Sequence, residues 1–224
     1  MHIVNSIVPK QRRSQESFDR VLDSTVALLK EQGLSSVTLS EVSRRAKVSI
    51  GSIYGRVDGK QALIREVQVR ALDKLDRERD AAIRRLRSRA LGLRELVPAV
   101  VREICRFHRR HAGLLSAFIE QSALDREVER VGKRHHSQML QSFAELLLDR
   151  ADEFVHPEAS HAAATCIAVT YGAIARFLGL GGAQDAVGEG DWRRLTEDLG
   201  LMTLAFLTVD LRQMRPQRDN AAIF

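Results

Sequence analysis

Residues 50–60 include several side chains that could bind the phosphates and base edges of a nucleic acid. Tyr54 and Arg56 can hydrogen-bond to phosphate or base, and Lys60 adds a cation beside the start of the following helix. Small residues stand among these donors and would permit a close approach: Gly51, Ser52 and Gly55. The chemistry that this pattern predicts is recognition of a polyanion, not the making or breaking of bonds.

Histidines offer a second possible chemistry. His108 and His111 lie three residues apart on one predicted helix, and another predicted helix carries an adjacent histidine pair at 135 and 136. Together with Glu120 or Cys105 they could ligate a metal ion, although the spacing is loose and no further Cys or His motif closes the set. A helical metal-responsive regulator that uses His108 and His111 therefore stays open as an alternative.

Catalytic signatures are missing from the sequence. It has no Gly-x-Ser-x-Gly motif, no phosphate-binding loop and no paired-carboxylate pattern, so we do not expect an enzyme.

Cys105 and Cys166 lie far apart, which argues against a disulfide scaffold or a zinc ribbon and fits a reducing cytoplasm. The longest apolar stretch, residues 162–175, is shorter than the ~20 residues of a membrane span. We expect a cytoplasmic protein with no cofactor and no membrane partner.

The positive charge is concentrated in the first half of the chain. Residues 1–60 carry 10 Lys and Arg against 6 Asp and Glu, and residues 61–110 carry 14 against 7, whereas residues 111–224 carry 11 against 16. This asymmetry suggests that the N-terminal half meets nucleic acid. A solvated arginine-rich helix face would give the same counts, so charge alone leaves both interpretations open.

The elements that must position these residues are helices throughout. Only four prolines interrupt a chain rich in Ala, Leu, Arg and Glu, so we predict an all-α fold. Ser14 can cap a first helix that runs to Gln32, and Thr38 with Glu41 forms a capping box for a second. After a turn at Lys47 and Val48, a third, short helix should extend from Ser49 to Val57.

Two short helices joined by such a turn form the helix-turn-helix pattern. Their interior residues can converge with Phe18, Leu22 and Val26 of the first helix; this interior set is Leu39, Val42, Ala46, Val48, Ile53 and Val57. A helix placed in this way inserts its exposed N-terminal residues into the major groove. For Tyr54, packing of the ring under the first helix is the alternative. Arg44 and Arg45 could either contact phosphate or be solvated.

The segment 18–64 closely resembles the DNA-binding domain of the tetracycline-repressor (TetR) family. The matching features are the apolar stripe that ends at Gly33, the Thr38 capping box, the run from Ala46 to Tyr54, and Lys60. The resemblance implies regulation of transcription, usually repression, by a homodimer that a small ligand releases from its palindromic operator. It also places Lys47 where the family commonly has glycine, and Val57 where it commonly has phenylalanine. A left-handed backbone at Lys47 would cost on the order of 1 kcal/mol.

By position, the resemblance puts Thr38, Lys47, Tyr54 and Lys60 against the DNA backbone, with the exposed face of the third helix in the groove. The full candidate DNA-binding set is Thr38, Arg45, Lys47, Ser49, Ile50, Gly51, Ser52, Tyr54, Gly55, Arg56 and Lys60.

We divide the chain into a basic arm that is disordered or extended (1–13), the three-helix DNA-binding domain (14–60), a larger helical domain for effector binding and dimerisation (61–214) and a flexible tail (215–224). In the larger domain we expect helices over about 95–110, 123–153, 157–180 and 191–214. Small residues on one helix and apolar residues on the next could pair two subunits as a four-helix bundle. The candidate dimer residues are Ala164, Ala168, Gly172, Ala175, Leu199, Met202 and Phe206. The alternative is that these residues pack in the hydrophobic core of their own subunit.

An effector pocket has no fixed sequence spacing. Apolar and half-polar residues of the middle helices are the candidates, with Arg102 or His111 as a polar anchor: Arg102, Phe107, His111, Phe118, Met139, Phe143 and Tyr171. The resemblance to the TetR family thus implies a ligand-responsive repressor. Its alternatives are a DNA-binding regulator without an effector and a helical adaptor that does not bind DNA.

Overall fold

The computed structural model describes residues 7–182 and 187–210. Within these ranges the chain forms eight α-helices and no β-strand, so the all-α prediction is confirmed. The helices are α1 (Ile7–Gln32), α2 (Leu39–Ala46), α3 (Ile50–Tyr54), α4 (Lys60–Arg87), α5 (Leu93–Ser122), α6 (Arg126–Leu148), α7 (Ala159–Leu178) and α8 (Trp192–Thr208).

Helix α1 begins at Ile7 and not at Ser14. Residues 7–13, expected to be an extended or disordered arm, are therefore helical, while residues 1–6 lie outside the described residues. Pro9 does not prevent this start, because the first turn of a helix leaves its N–H groups without acceptors and tolerates proline. The Ser14 hydroxyl accepts a hydrogen bond from Arg56 and caps nothing.

The first four helices share one core. Val42, Ile53 and Val57 are buried at the centre of the predicted interior set, against Leu22 of α1 and Leu63 of α4. Other members of that set are partly buried and pack around this centre: Phe18, Val26, Leu39 and Val48. Helix α2 packs on α1, and α3 packs on α2 with its buried Ile53 in the same core, as in a helix-turn-helix.

Helix α5 is the central helix of the larger part and packs against α1, α4, α6, α7 and α8. The sequence predicts a helix over about 95–110, but α5 continues through Gly113 to Ser122. A side chain at Gly113 would place its Cβ 3.0 Å from the carbonyl oxygen of Lys30. The glycine lets α5 cross α1 closely, which joins the two parts of the chain, and it does not end the helix.

Helices α7 and α8 complete the larger part. Asp191 caps α8 by accepting a 2.8 Å hydrogen bond from the Arg194 amide. This helix ends at Thr208; residues 211–224, which include the predicted tail, lie outside the described residues. In the described part of the chain, α7 is the one helix with the length and hydropathy of a membrane span. It packs on α6, α8 and α5, and 33% of its apolar window is buried inside the subunit.

Candidate nucleic-acid interface and interior cavity

Hydroxyl caps fix the starts of both short helices. Thr38 Oγ1 accepts a 3.1 Å hydrogen bond from the Glu41 amide, which is the first half of the predicted capping box. The Glu41 carboxylate binds the guanidinium of Arg44 at 2.8 and 2.5 Å, in place of the reciprocal bond to Thr38. Ser49 caps α3 by accepting a 3.2 Å hydrogen bond from the Ser52 amide. These caps set where each helix begins and which residues it exposes.

The turn between α2 and α3 depends on one left-handed residue. Lys47 has φ 54° and ψ 46°, the conformation for which glycine is favoured. The Ser43 hydroxyl closes the turn by donating a 2.7 Å hydrogen bond to the Val48 carbonyl oxygen. The Lys47 side chain is exposed, so its ammonium group is available to a phosphate.

The outer face of α3 is free of packing. Tyr54 is 57% exposed, which rules out packing of its ring under α1, and Ile50 is 39% exposed. Gly51, Ser52 and Gly55 complete this exposed face. A Cβ at Gly51 would meet no atom within 4 Å, so nothing inside the subunit requires glycine there. The surface is small, uncharged at its centre and open to close approach.

Three of the predicted basic residues bind groups of the protein itself. Arg45 binds the Glu31 carboxylate at 2.7 Å, and Lys60 Nζ donates a 3.2 Å hydrogen bond to the Leu34 carbonyl oxygen. Arg56 donates to Ser14 Oγ at 2.6 Å, and its guanidinium lies 5.5 Å from the centre of the Phe18 ring. Arg56 therefore turns toward α1, and reading a base would require it to leave these partners. Lys47 is the candidate cation already directed at solvent.

A cavity of about 260 Å³ lies among α4, α5, α6 and α7. Four predicted effector residues lie in its wall: Phe107, Phe118, Met139 and Tyr171. The other three do not. Phe143 is buried in the core, Arg102 faces a separate groove between α5 and α8, and His111 binds Glu78 at 3.1 Å. These three side chains lie on helix faces that point away from the cavity. Residue type alone does not predict how each helix is rotated about its axis.

The cavity also has polar wall residues that the sequence did not assign to an effector. His108, His135 and His136 were considered only as metal ligands, and Gln68 of α4 was not considered. Burial lowers the pKa of His108 to about 4, against a weaker raising effect of its hydrogen bond to the Ile104 carbonyl oxygen. Burial likewise lowers the pKa of His135 and His136. All three imidazoles are therefore neutral at pH 7.

Among the described residues, no three His, Cys, Asp or Glu side chains are grouped closely enough to hold a metal ion. His108 and His111 each have another partner, the Ile104 carbonyl oxygen and the Glu78 carboxylate respectively. The metal-responsive alternative thus has no site in the described part of the chain.

Most of the predicted dimer residues lie on one outer face. Ala164, Ala168 and Gly172 of α7 are exposed, and Met202 of α8 is 60% exposed. Ala175 and Phe206 are half-buried along the same helices. The prediction that Leu199 lies at the dimer interface is corrected by its burial. Leu199 is 4% exposed, because this position of α8 turns inward to the core of its own subunit. Val169, which the sequence analysis did not include, is exposed and lies with Met202 and Phe206 in a groove between α7 and α8. Leu201 of α8 is a further exposed apolar residue that the sequence analysis did not include.

Two family profiles match this chain. Residues 21–67, which contain α2 and α3, match bacterial regulatory proteins of the tetR family. Residues 92–207, about half of the chain, match the tetracyclin repressor-like C-terminal domain. The chain belongs to the TetR family. It is a DNA-binding transcriptional regulator, and the regulators that it resembles are not enzymes.

Solved structures of transcriptional regulators share the fold at low sequence identity. A candidate TetR-family transcriptional regulator from Mesorhizobium loti superposes with a TM-score of 0.70 at 15% identity, over 87% of this chain and 96% of that one. A regulator from Streptomyces coelicolor gives 0.61 at 22% identity, over 92% and 96%. The regulator FadR from Bacillus subtilis, in complex with stearoyl-CoA, gives 0.62 at 13% identity, over 84% and 98%. No protein of curated function matches this chain in sequence.

Proposed function

We propose that this TetR-family regulator is a cytoplasmic repressor. It binds a palindromic operator as a homodimer through α3, and a small molecule in the cavity of the larger domain releases it. The observation that carries the DNA-binding part is the outer face of α3. This face is exposed, capped in place and free of internal packing, with Gly51 at its centre and the Lys47 ammonium group beside it.

The dimer part is supported by the outer face of α7 and α8. Exposed small residues on α7 would let a second helix approach closely, and Val169, Leu201 and Met202 are 52%, 65% and 60% exposed. Large apolar side chains grouped on one surface mark an interaction site in soluble proteins. A two-fold pair of subunits would carry two α3 helices, which successive major grooves of a palindrome can accept.

The effector part is supported by the position of α4. This helix begins at Lys60, beside the helix-turn-helix, and its residues Gln68 and Leu72 lie in the cavity wall. A molecule in the cavity therefore touches the helix that leads directly to the DNA-binding domain. The FadR structure, a complex with stearoyl-CoA, supports the view that this fold can hold a small ligand.

The substitution Gly51→Leu tests the DNA-binding part. Leucine favours a helix more than glycine does, and a Cβ at this exposed position meets no atom within 4 Å, so the fold should be retained. The longer side chain should keep α3 out of the groove and weaken binding by roughly tenfold or more, which corresponds to about 1.4 kcal/mol or more. Fluorescence anisotropy with a duplex selected by the wild-type protein measures this change.

Ser137→Leu, on the exposed face of α6, is the matched control and should bind the duplex like the wild type. Wild-type affinity in the Gly51→Leu protein would contradict the assignment of α3 as the DNA-contacting helix.

A further inference from the structure

A polar pocket of about 250 Å³ lies between α1 and α3. Its polar lining consists of Arg13, Ser14, Ser17, Ser52 and Arg56, and no aspartate or glutamate of the described residues lines it. Both arginines are exposed, as are Ser14 and Ser52, so the pocket opens to solvent. A concave surface with two cations and no anion attracts a negatively charged ligand.

The acidic side chains next to this pocket are bound elsewhere. Glu16 lies 3.5 Å from the guanidinium of Arg12, on the side of α1 that does not line the pocket. Asp19 binds Arg70 of α4. Within the described part of the chain, neither arginine of the pocket forms an ion pair. Their charges are therefore not neutralised inside the subunit.

Contacts within the subunit hold the guanidinium of Arg56 at the pocket. It donates the 2.6 Å hydrogen bond to Ser14 Oγ and lies 5.5 Å from the centre of the Phe18 ring. A guanidinium has several N–H donors, so others remain after this bond. The Ser14 hydroxyl only accepts in the bond to Arg56, so its own proton is a further donor. Arg13 adds a second guanidinium to the same lining. Such a set of donors suits the oxygens of a phosphate.

The pocket lies beside the outer face of α3. Ser52 and Arg56 are four residues apart, so they project from the same side of the helix, between the exposed face at Gly51 and the contact with α1. A helix with its side chains is about 10–12 Å across, and the major groove is about 12 Å wide. The phosphates that border the groove must therefore lie close beside an inserted helix. The pocket stands where one of these phosphates would pass.

We infer that this pocket binds one backbone phosphate of the operator, with Arg13, Ser14 and Arg56 as the donors. Arg56 then holds the DNA backbone and does not read a base. This inference rests on the DNA-binding part of the proposed function and adds α1 to the contacting elements. It also gives a role to the early start of α1 at Ile7, because a helix that began at Ser14 would not carry Arg13 beside α3.

Salt titrations of DNA binding by the full-length protein test the inference, with a duplex selected by the wild type and an unrelated duplex of equal length. Arg13→Ala and Arg56→Ala should each weaken binding to both duplexes by the same factor, roughly tenfold. The double variant should lower the slope of log affinity against log salt by about one unit, since one phosphate is no longer neutralised. A loss in Arg56→Ala that is confined to the selected duplex would show base reading and overturn the inference.

Arg12→Ala is the matched control, because it removes an exposed charge next to Arg13 that does not line the pocket. It should bind both duplexes like the wild type. Arg13→Ala tests the inference even if Arg56→Ala, which also loses its contact with Phe18, does not fold. Wild-type affinity in Arg13→Ala would overturn the inference, and so would equal losses in Arg12→Ala and Arg13→Ala.

Neutral methylphosphonate groups, placed one at a time in the selected duplex, locate the phosphate. At one position of each half-site the replacement should weaken binding of the wild type roughly tenfold. The same replacement should weaken binding of Arg13→Ala much less, because that variant has already lost the contact. The absence of any such position would overturn the inference.

The test at Gly51 separates this inference from the proposed function. If Gly51→Leu loses DNA binding while Arg13→Ala keeps it, α3 remains the DNA-contacting helix and only the phosphate pocket fails. If the wild type binds no duplex, the proposed function fails and the phosphate pocket fails with it.

Discussion

The side-chain amide of Gln68 donates a 2.9 Å hydrogen bond to the carbonyl oxygen of Val128, and both residues lie in the wall of the cavity. Gln68 belongs to α4 and Val128 to α6, so the bond joins the two helices beside the proposed ligand. Nearby, Arg65 of α4 binds Asp125, the N-terminal cap of α6, at 2.7 Å. These two contacts would pass a ligand-induced shift of α6 to α4, and so to the DNA-binding domain.

Gln68→Leu should destabilise the protein by about 0.5–1.5 kcal/mol, because it removes the hydrogen bond that joins α4 to the Val128 carbonyl oxygen of α6. Urea denaturation of the two proteins at pH 7.5 measures the difference in the free energy of unfolding. Gln138→Leu, on the exposed surface of α6, should change that free energy by less than about 0.5 kcal/mol. Equal effects of the two substitutions would show that the α4–α6 hydrogen bond does not contribute to stability.

Lys47→Gly should have opposite effects on stability and on DNA binding. Glycine adopts the left-handed backbone of this turn freely, so the variant should be more stable by about 1 kcal/mol. Loss of the exposed ammonium group should weaken binding to all duplexes and lower the slope of log affinity against log salt by about one unit. Thermal unfolding and salt titrations of DNA binding measure the two effects.

Lys74→Ala removes the same charge from an exposed position of α4 and serves as the control for the DNA measurement. A Lys47→Gly protein with the salt slope of the wild type would contradict the proposed phosphate contact.

Gly172→Phe and Met202→Glu should each give monomers if α7 and α8 form the dimer interface. Gly172 has no atom within 4 Å of its Cβ position in the subunit, so a larger side chain there should affect association and not the fold. Leu124→Glu places a charge at another exposed apolar residue, 70% exposed, and should leave the oligomeric state unchanged. Light scattering at micromolar concentration distinguishes the results, and a wild-type monomer would contradict the dimer.

His108 should make the protein sensitive to acid. Its pKa is about 4 in the folded protein, and its ordinary value is 6.5, so the unfolded chain binds the proton at higher pH. The stabilising effect is therefore complete above pH 6.5 and is lost as the pH falls toward 4, by up to about 3 kcal/mol. His108→Phe should lose less stability than the wild type between pH 7 and pH 4.5, whereas His161→Phe, at an exposed position, should follow the wild type. Identical pH profiles for His108→Phe and the wild type would contradict this account.

Local signals predicted the helix-turn-helix well, because its structure depends on neighbours in sequence. The Thr38 and Ser49 caps and the burial of Val42 and Ile53 follow from residue type and spacing. The left-handed turn at Lys47 is indicated by the resemblance to the TetR family, in which glycine commonly stands at this position. The directions of Arg56 and Lys60 follow from neither, since their partners, Ser14 and the Leu34 carbonyl oxygen, come from distant segments.

Tertiary contacts decided the features that the sequence did not predict. Gly113 resembles a helix end, and only the crossing with α1 at Lys30 explains why α5 continues. The cavity residues depend on the rotation of each helix, which places Phe107 in the wall and Phe143 in the core.

Selection of duplexes from a random DNA library by the wild-type protein, followed by sequencing, tests the central claim most directly. A homodimer that inserts two α3 helices into successive major grooves should enrich an inverted repeat. The centres of its half-sites should lie about 10–10.5 base pairs apart, or a multiple of that spacing. Selection by the Gly51→Leu protein should lose this enrichment. A wild-type protein that enriches no sequence, or only a single half-site without a symmetric partner, would contradict the account of a dimeric operator-binding regulator.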